Sequence, residues 1–93
     1  MMKFLHVGCG RKNKAFTTPA FNTPEWQEIR FDIDETVNPD IIGTMTEMSS
    51  VKSGTVDAIY SSHNIEHLYP HEVGVALHEF YRVLGDDGFV MLT

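Results

Sequence analysis

Two histidines and a glutamate at the spacing H-x-x-E-H offer the first chemistry in this sequence. His63, Glu66 and His67 lie in the stretch SSHNIEHLYPHE, residues 61–72. On a helix, the two histidines would lie one turn apart and could share a zinc ion, with the glutamate beside them as a general base. Such a site needs a third ligand further along the chain, and Pro70 interrupts any long helix that carries both histidines. We therefore expect no metal site and a structural role for His67.

A glycine turn is the second candidate. Residues 8–10 (GCG) follow the apolar run at residues 3–7, which is typical of a buried strand. Glycines at such a place let the backbone pass close to a ligand and adopt a positive φ, although a simple tight turn is equally typical. Asp32 and Asp34 end the next predicted strand, about 22 residues beyond the turn. An acid at that place in a doubly wound sheet can accept hydrogen bonds from a ribose diol, which favours ligand binding.

The elements that must position these residues follow from the apolar pattern. Short apolar runs predict strands at residues 3–7, 41–42, 56–60 and 89–92, and alternation of polar and apolar residues predicts a strand at residues 27–31. Pro70 and Glu72 favour a helix start, and a helical apolar period leads from there to Gly85 as the C-terminal cap. Asp86, Asp87 and Gly88 then predict a turn.

Between these elements the pattern is weaker. Met45, Met48 and Val51 suggest one helical turn, whereas residues 11–25 show no helical period and predict a loop or a broken helix. Strands that alternate with helices or loops predict an α/β fold with a mostly parallel sheet. The nearly continuous apolar runs FLHV and FVML suit a sheet covered on both faces.

Composition limits the possible partners. The 93 residues predict one domain, residues 1–93. Lys and Arg total 7 against 13 Asp and Glu, a charge of −6 without a basic stripe, which argues against nucleic acid and suits a small neutral or cationic ligand. Cys9 is the only cysteine, which is typical of a reducing compartment. No run approaches the roughly 20 apolar residues of a membrane span, so we expect no membrane contact and a cytoplasmic location.

The order of the motifs adds a resemblance. The segments LHVGCG, WQEIRFDID, PDIIGTMTEM, GTVDAIYSSHNIEHL and EFYRVLGDDGFVMLT span almost the whole sequence. In this order and spacing they resemble the class I S-adenosylmethionine-dependent methyltransferases, in particular the small-molecule, type 11-like kind. The resemblance implies a Rossmann-like, mostly parallel sheet of about five strands in the order 3-2-1-4-5, truncated after strand 5. It also implies S-adenosylmethionine as the cofactor and a small molecule as the substrate.

The resemblance also implies cofactor-binding residues. Carried over by position, these residues are Gly8, Cys9, Gly10, Asp32, Thr44, Met45, Ser61 and Ser62. The glycine turn would lie under the methionyl part, Asp32 would bind the ribose hydroxyls, and Asp34 is a weaker substitute for it. Thr44 and Met45 would face the adenine, and the two serines would lie near the sulfonium. No catalytic residue is identified, and His63 is only a weak nominee for a general base because its unperturbed pKa suits neutral pH.

Several positions depart from the family pattern. His6 stands where the family often has an acid, Lys12 where a third glycine is usual, and Thr44 where an acid usually contacts the adenine. The sequence also stops at strand 5, whereas typical members continue. An apolar edge strand tends to pair with another chain, so we expect a homodimer through the edge of strand 5.

Two other functions stay open. A shortened, non-catalytic methyltransferase-like module would bind the cofactor poorly and serve as a partner domain. A nicotinamide-binding Rossmann domain would use the same glycine turn, but the absent third glycine and the EHL at residues 66–68 argue against it.

Overall fold

A five-stranded sheet forms the centre of the computed structural model, which describes residues 1–93. The strands are β1 (Met2–Val7), β2 (Trp26–Asp32), β3 (Ile41–Ile42), β4 (Val56–Ser61) and β5 (Leu84–Leu92). They lie in the order β3-β2-β1-β4-β5, and every neighbouring pair is parallel. The predicted α/β class, Rossmann-like sheet and strand order 3-2-1-4-5 are therefore confirmed. Phe4, Leu5, His6 and Val7 of the central strand β1 are all buried, because both faces of the sheet are covered.

One face of the sheet is covered by the helix α1 (Pro70–Val83). Pro70 opens it as predicted, and Glu72 Oε1 accepts a hydrogen bond from the Tyr69 backbone N–H at 2.9 Å, which satisfies a donor at the helix start. The helix buries Ala76, Phe80 and Val83. Phe80 and Val83 pack in one apolar cluster with residues of β1 and β4, among them Leu5 and Ile59. With 14 residues, α1 is too short to cross a membrane, and no other helix is long and apolar enough.

The other face is covered by the segment between β1 and β2, which contains one 3₁₀ turn (Lys14–Phe16) and no α-helix. Phe21 from this segment is buried and stacks on Phe4 of β1, with ring centroids 4.4 Å apart. Lys14 Nζ donates to the carbonyl oxygens of Thr23 at 2.9 Å and Trp26 at 3.1 Å. Phe21 and Lys14 thus attach this segment to the sheet without an α-helix. The segment was predicted to be a loop or a broken helix.

The end of α1 differs from the prediction. Gly85 is not a left-handed cap, because Leu84 is already extended (φ −74°, ψ 140°) and begins β5. The carbonyl oxygens of Arg82 and Val83 accept the backbone N–H groups of Gly54 and Thr55, each at 2.9 Å. The loop before β4 therefore satisfies the helix end, and no glycine cap is needed.

The predicted turn at residues 86–88 lies inside β5. Val56 of β4 pairs with Leu84, but two residues later Ala58 pairs with Phe89. The intervening residues 85–88 bulge out of the ladder, so the strand begins earlier than the apolar run at residues 89–92 indicated.

The helical turn predicted from Met45, Met48 and Val51 is also wrong. The segment forms tight turns and a short bridge between Thr44 and Glu47. Met48 and Val51 are nevertheless buried in the cluster beneath α1. Met48 and Val51 are therefore apolar because they are buried in the same cluster as residues of α1, and not because their own backbone is helical.

Candidate functional site

The glycine turn lies at the carboxyl edge of the sheet, where β1, β2 and β4 end. Gly8 has φ +68° and Gly10 has φ +57°, conformations in which a side chain is strained. The backbone N–H groups of Gly8 and Cys9 both donate to the Phe31 carbonyl oxygen, at 2.8 and 3.3 Å. The turn therefore remains attached to the end of β2.

Asp32 joins this turn from β2. Its Oδ2 accepts the Gly10 N–H at 2.7 Å, and its Oδ1 accepts the Asp34 N–H at 2.9 Å. An ionised carboxylate offers about four acceptor positions, so both oxygens keep capacity for a ligand. Asp34 is employed differently: it accepts the Thr36 N–H at 2.9 Å and the Thr36 hydroxyl at 2.7 Å. These hydrogen bonds lower the pKa of Asp34 and fix it as the cap of a 3₁₀ turn.

Arg30 is a residue of this site that the sequence analysis missed. Its guanidinium donates to the carbonyl oxygens of Gly10 at 2.5 Å and Lys12 at 3.0 Å on one side. On the other side it donates to Val37 at 3.2 Å and Asn38 at 2.8 Å. The five N–H donors of arginine suit such a cluster of acceptors. Arg30 thereby connects the glycine turn to the segment before β3.

Asn64 is a second residue that was missed. Its Nδ2 lies 2.8 Å from the Ser62 carbonyl oxygen, 3.2 Å from that of Val7 and 3.1 Å from the Ser61 hydroxyl. The side chain lies so close to Gly8 that a Cβ there would be 2.5 Å from Asn64 Cγ. Gly8 is therefore required both by its positive φ and by the contact with this carboxamide.

Two cavities open beside these residues, and Gly8 lines both. The β2 cavity has a volume of about 230 Å³, and its lining includes Gly8, Asp32, Thr44, Met45 and Asn64. The β4 cavity has a volume of about 240 Å³, and its lining includes Gly8, Cys9, Gly10, Ser62 and His63. A larger cavity of about 570 Å³ lies elsewhere, along Met1, Asn13 and Trp26. We place the candidate site at the two smaller cavities, because that is where the parallel strands end.

The predicted site residues assemble with one exception. Gly8, Cys9, Gly10, Asp32, Thr44, Met45 and Ser62 all line the two cavities. Ser61 lines neither cavity; it is buried, and its hydroxyl accepts the Asn64 side-chain N–H. Cys9 is buried as well, and burial raises the pKa of its thiol. A protonated, enclosed thiol is a poor nucleophile, so Cys9 contributes shape rather than reactivity.

His6 lines the β4 cavity and forms a buried ionisable pair with Glu28. Its Nδ1 lies 2.7 Å from Glu28 Oε2, and both side chains are nearly enclosed, with 5 % and 11 % exposed. Burial lowers the pKa of His6, against the opposing effect of the Glu28 carboxylate. Tyr60 packs edge-on against the imidazole, with ring centroids 5.3 Å apart. A neutral His6 that donates from Nδ1 to Glu28 keeps Nε2 as an acceptor.

The two histidines of the H-x-x-E-H string line different cavities. His63 has φ +56° and lines the β4 cavity, whereas His67 ends a 3₁₀ turn (Ile65–His67) and lines the β2 cavity. His63 is 78 % exposed and lies 3.9 Å from Glu66 Oε2. The chain contains no group of three His, Cys, Asp or Glu side chains arranged to hold a metal ion. The string therefore does not form the one-turn helical pair that a zinc site would use.

The residues present fit S-adenosylmethionine on two observations. Gly8 lines both cavities without a side chain, and the Cβ of any other residue there would overlap Asn64 at 2.5 Å. Asp32 lines the β2 cavity with free acceptor capacity, as a ribose diol requires. A cofactor with an adenosyl half and an amino-acid half suits two cavities that share one residue.

Solved structures share this fold. A Methanococcus maripaludis protein inferred to be an S-adenosyl-L-methionine-dependent methyltransferase matches with TM-score 0.79 and 16% identity, over 98% of this chain and 47% of that one. A Pyrococcus horikoshii protein matches with TM-score 0.78 and 22% identity, over 98% and 46%. An Archaeoglobus fulgidus SAM-dependent methyltransferase matches with TM-score 0.75 and 21% identity, over 96% and 42%. The chain thus spans about half the length of these relatives.

The sequence itself decides the family. No curated protein sequence is significantly similar to the chain. The model of the methyltransferase domain family, however, matches residues 5–92, nearly the whole chain. S-adenosylmethionine is the cofactor that this match implies, as the sequence resemblance predicted. With its parallel sheet, its glycine turn and its acid at the end of β2, the chain belongs to the methyltransferase domain family.

Proposed function

We propose that residues 1–93 form one S-adenosylmethionine-binding domain that transfers a methyl group to a small molecule. The observation that carries the proposal is the contact between Asp32 and the glycine turn. Asp32 Oδ2 accepts the Gly10 N–H at 2.7 Å, which places a carboxylate and an open glycine backbone at one edge of the sheet. Parallel sheets bind their ligands at this edge.

The β2 cavity would hold the adenosyl half of the cofactor. Asp32 would accept hydrogen bonds from the ribose hydroxyls, since two of its acceptor positions are not used by the protein. Thr44 and Met45 line the same cavity and would face the adenine. Thr44 offers a hydroxyl where the resemblance leads one to expect an acid, so it contributes a neutral hydrogen bond instead of a charged one.

The β4 cavity would hold the amino-acid half. Arg11 and Lys12 line it and supply positive charge for a carboxylate. His6 lines the same cavity, and its pair with Glu28 carries a net negative charge while the imidazole is neutral, which suits an ammonium group. The cavity therefore has groups of both signs for a zwitterion.

Methyl transfer needs alignment more than acid–base chemistry. The cofactor supplies a methyl group on a positively charged sulfur, which is already a good leaving group. The chain's contribution is to hold the reactants in line, which is the main source of rate acceleration in such reactions. His63 is exposed and lines the β4 cavity, so it is the side chain available to accept a proton from a hydroxyl acceptor.

A second candidate function is a non-catalytic module that binds a protein partner, including a second copy of the chain. β5 lies at the end of the sheet order, and its Phe89, Val90 and Leu92 side chains are 46 %, 36 % and 41 % exposed. An edge strand with exposed apolar side chains favours pairing with another chain. The homodimer through β5 therefore stays a prediction, as does the cytoplasmic location.

The decisive experiment is a calorimetric titration with S-adenosylhomocysteine, the demethylated cofactor. Wild type, Asp32→Asn and Asp34→Asn are compared after Trp26 fluorescence has shown that each is folded. We expect one-site binding by wild type and at least a tenfold loss in Asp32→Asn, because a charged acceptor for the ribose is lost. Asp34→Asn is the matched control, because asparagine preserves the cap on Thr36.

The outcomes separate the candidates. Equal losses in both aspartate variants would contradict the assignment of Asp32 as the ribose ligand. A folded wild type that gives no heat at millimolar ligand would overturn cofactor binding and favour the partner module. Binding with the expected order of affinities would justify a search for the methyl acceptor with radiolabelled S-adenosylmethionine.

A further inference from the structure

The orientation of the Asn64 carboxamide is fixed by its neighbours. Nδ2 lies within 3.2 Å of the carbonyl oxygens of Val7 and Ser62, which can only accept hydrogen bonds. Exchanging the two ends of the carboxamide would place Oδ1 against these oxygens. Nδ2 must therefore face the ends of β1 and β4, and Oδ1 must face the other way.

Oδ1 of Asn64 is an acceptor without a partner in the protein. Asn64 lines the β2 cavity, and Thr23 Oγ1 is the only fully enclosed side-chain nitrogen or oxygen that lacks a hydrogen bond. Because Asn64 Oδ1 makes no hydrogen bond and is not enclosed, it is accessible to a ligand. The carboxamide also lies flat over Gly8, since Cγ, Nδ2 and Oδ1 are each 2.5 Å from the position of a Cβ at residue 8.

The position of Gly8 determines which ligand atom Oδ1 would meet. Gly8 lines both cavities, whereas Asp32 lines only the β2 cavity and Gly10 only the β4 cavity. In S-adenosylmethionine, the sulfur is the atom that joins the adenosyl half to the amino-acid half. A cofactor that occupied both cavities would pass from one to the other beside Gly8, and its sulfur would then lie near this residue.

We propose that Asn64 is a specificity residue whose Oδ1 faces the cofactor sulfur and favours the methylated, positively charged form over the neutral product. This proposal rests on the proposed function. A fixed carbonyl dipole stabilises a positive sulfur and polarised C–H groups on it, and it loses this interaction when the methyl group leaves. The hydrogen bonds from Nδ2 hold the dipole in place before the ligand arrives, so no reorganisation is needed.

The test compares two ligands on three proteins by calorimetry. Dissociation constants for S-adenosylmethionine and S-adenosylhomocysteine are measured with wild type, Asn64→Leu and Ser61→Ala. We expect Asn64→Leu to reduce the preference for the charged ligand by about threefold to fivefold, the effect of losing a weak polar contact. Ser61→Ala removes one partner of Nδ2 but leaves Oδ1 and the carbonyl contacts to Val7, Gly8 and Ser62, so the preference should stay within about twofold of wild type.

A second measurement needs no variant, in case Asn64→Leu does not fold. The side-chain carboxamide signals of Asn64 in wild type should shift further on addition of S-adenosylmethionine than of S-adenosylhomocysteine in NMR spectra. Equal losses of both ligands in Asn64→Leu, or equal shifts in wild type, would overturn the specificity role while leaving cofactor binding intact. Failure of wild type to bind either ligand would instead overturn the proposed function, and this inference with it.

Discussion

Arg30 Nη2 lies 2.5 Å from the carbonyl oxygen of Gly10, so a residue in the middle of β2 holds the glycine turn at the end of β1. The same guanidinium also donates to the Lys12, Val37 and Asn38 carbonyl oxygens. The shape of the β4 cavity thus depends on one side chain that does not line it. Arg30 is a positioning residue for the turn.

Replacing Arg30 with lysine should weaken cofactor binding. A single ammonium group cannot reach four carbonyl oxygens in the planar arrangement of a guanidinium, so the turn loosens. We expect affinity for S-adenosylhomocysteine to fall by about tenfold and the free energy of unfolding by about 1–3 kcal/mol. Lys52→Ala, at an exposed loop position, is the control and should leave both unchanged. An Arg30→Lys protein with wild-type affinity would show that the glycine turn keeps its conformation without the Arg30 hydrogen bonds.

The two glycines of the turn should respond differently to alanine. Gly8→Ala combines a positive φ with a Cβ 2.5 Å from Asn64, whereas Gly10→Ala meets no atom within 4 Å. Urea unfolding followed by Trp26 fluorescence should show a loss of about 2–5 kcal/mol for Gly8→Ala, from backbone strain and overpacking. Gly10→Ala should lose about 1–2 kcal/mol from strain alone. Similar losses in both variants would mean that Asn64 moves aside without cost.

Stability should fall as the pH is lowered past the ordinary pKa of histidine. Burial lowers the pKa of His6 in the folded state, so the unfolded chain binds the proton more readily. The stabilisation is therefore complete above about pH 6.5 and is lost as the pH falls from there toward the folded-state pKa. Urea midpoints of wild type at pH 7.5 and 5.5 should differ in this direction, and His6→Asn should remove much of the difference. A higher midpoint at pH 5.5 would contradict the sign.

Arg82 should matter for stability although it lines neither the β2 nor the β4 cavity. It bonds to both oxygens of Glu79 at 2.9 Å and to the Met48 and Val51 carbonyl oxygens at 2.8 and 3.0 Å. Glu79 in turn accepts the Met48 N–H. Thermal unfolding should show a loss of about 5 °C for Arg82→Ala, because several polar groups lose partners at once. Tyr81→Ala is the control on the same helix, at a side chain that is 80% exposed, and should leave the midpoint unchanged.

The free edge of β5 provides a test of oligomeric state. If two copies pair there, Val90→Lys should convert a dimer to a monomer in light scattering, because a lysine at an edge strand opposes pairing. Val75→Lys, at a 47 % exposed position of α1, makes the same substitution and charge change outside β5, so as a control it should leave the mass unchanged. A monodisperse monomer for wild type would remove the homodimer prediction.

Local patterns explain which parts of the structure could be predicted. Four strands carry an apolar run and β2 carries an alternating pattern, while Pro70 and Glu72 mark the helix start. The strand order of the resembled fold could therefore be applied to the chain. Asp32 was predicted for the same reason, because an acid at the end of the second strand is a local signal. The segment at residues 11–25 was expected to be a loop or a broken helix because it has no periodic apolar pattern, and it contains one 3₁₀ turn.

The residues that were missed act through contacts between distant parts of the chain. Asn64 meets Val7 across 57 positions, and Arg30 meets Gly10 across 20. Neither side chain has a sequence signal of its own, since an asparagine in a loop and an arginine in a strand are both ordinary. The prediction of Gly85 as the helix cap was wrong for the opposite reason. A glycine after a helical apolar pattern is a strong local signal for a cap, but Leu84 pairs with Val56 and already belongs to β5.

The strand order implies slow folding. β1 lies in the centre of the sheet, yet its residue Phe4 pairs with Ala58, 54 positions later in the sequence. Parallel neighbours so far apart give a high contact order, and chains of this kind fold in milliseconds to seconds. On a ribosome that adds roughly 5–20 residues per second, β1 would wait about 3–10 s for β4. During that interval the central strand has no partner on one side, so we expect a chaperone to recognise residues 2–7 of the nascent chain.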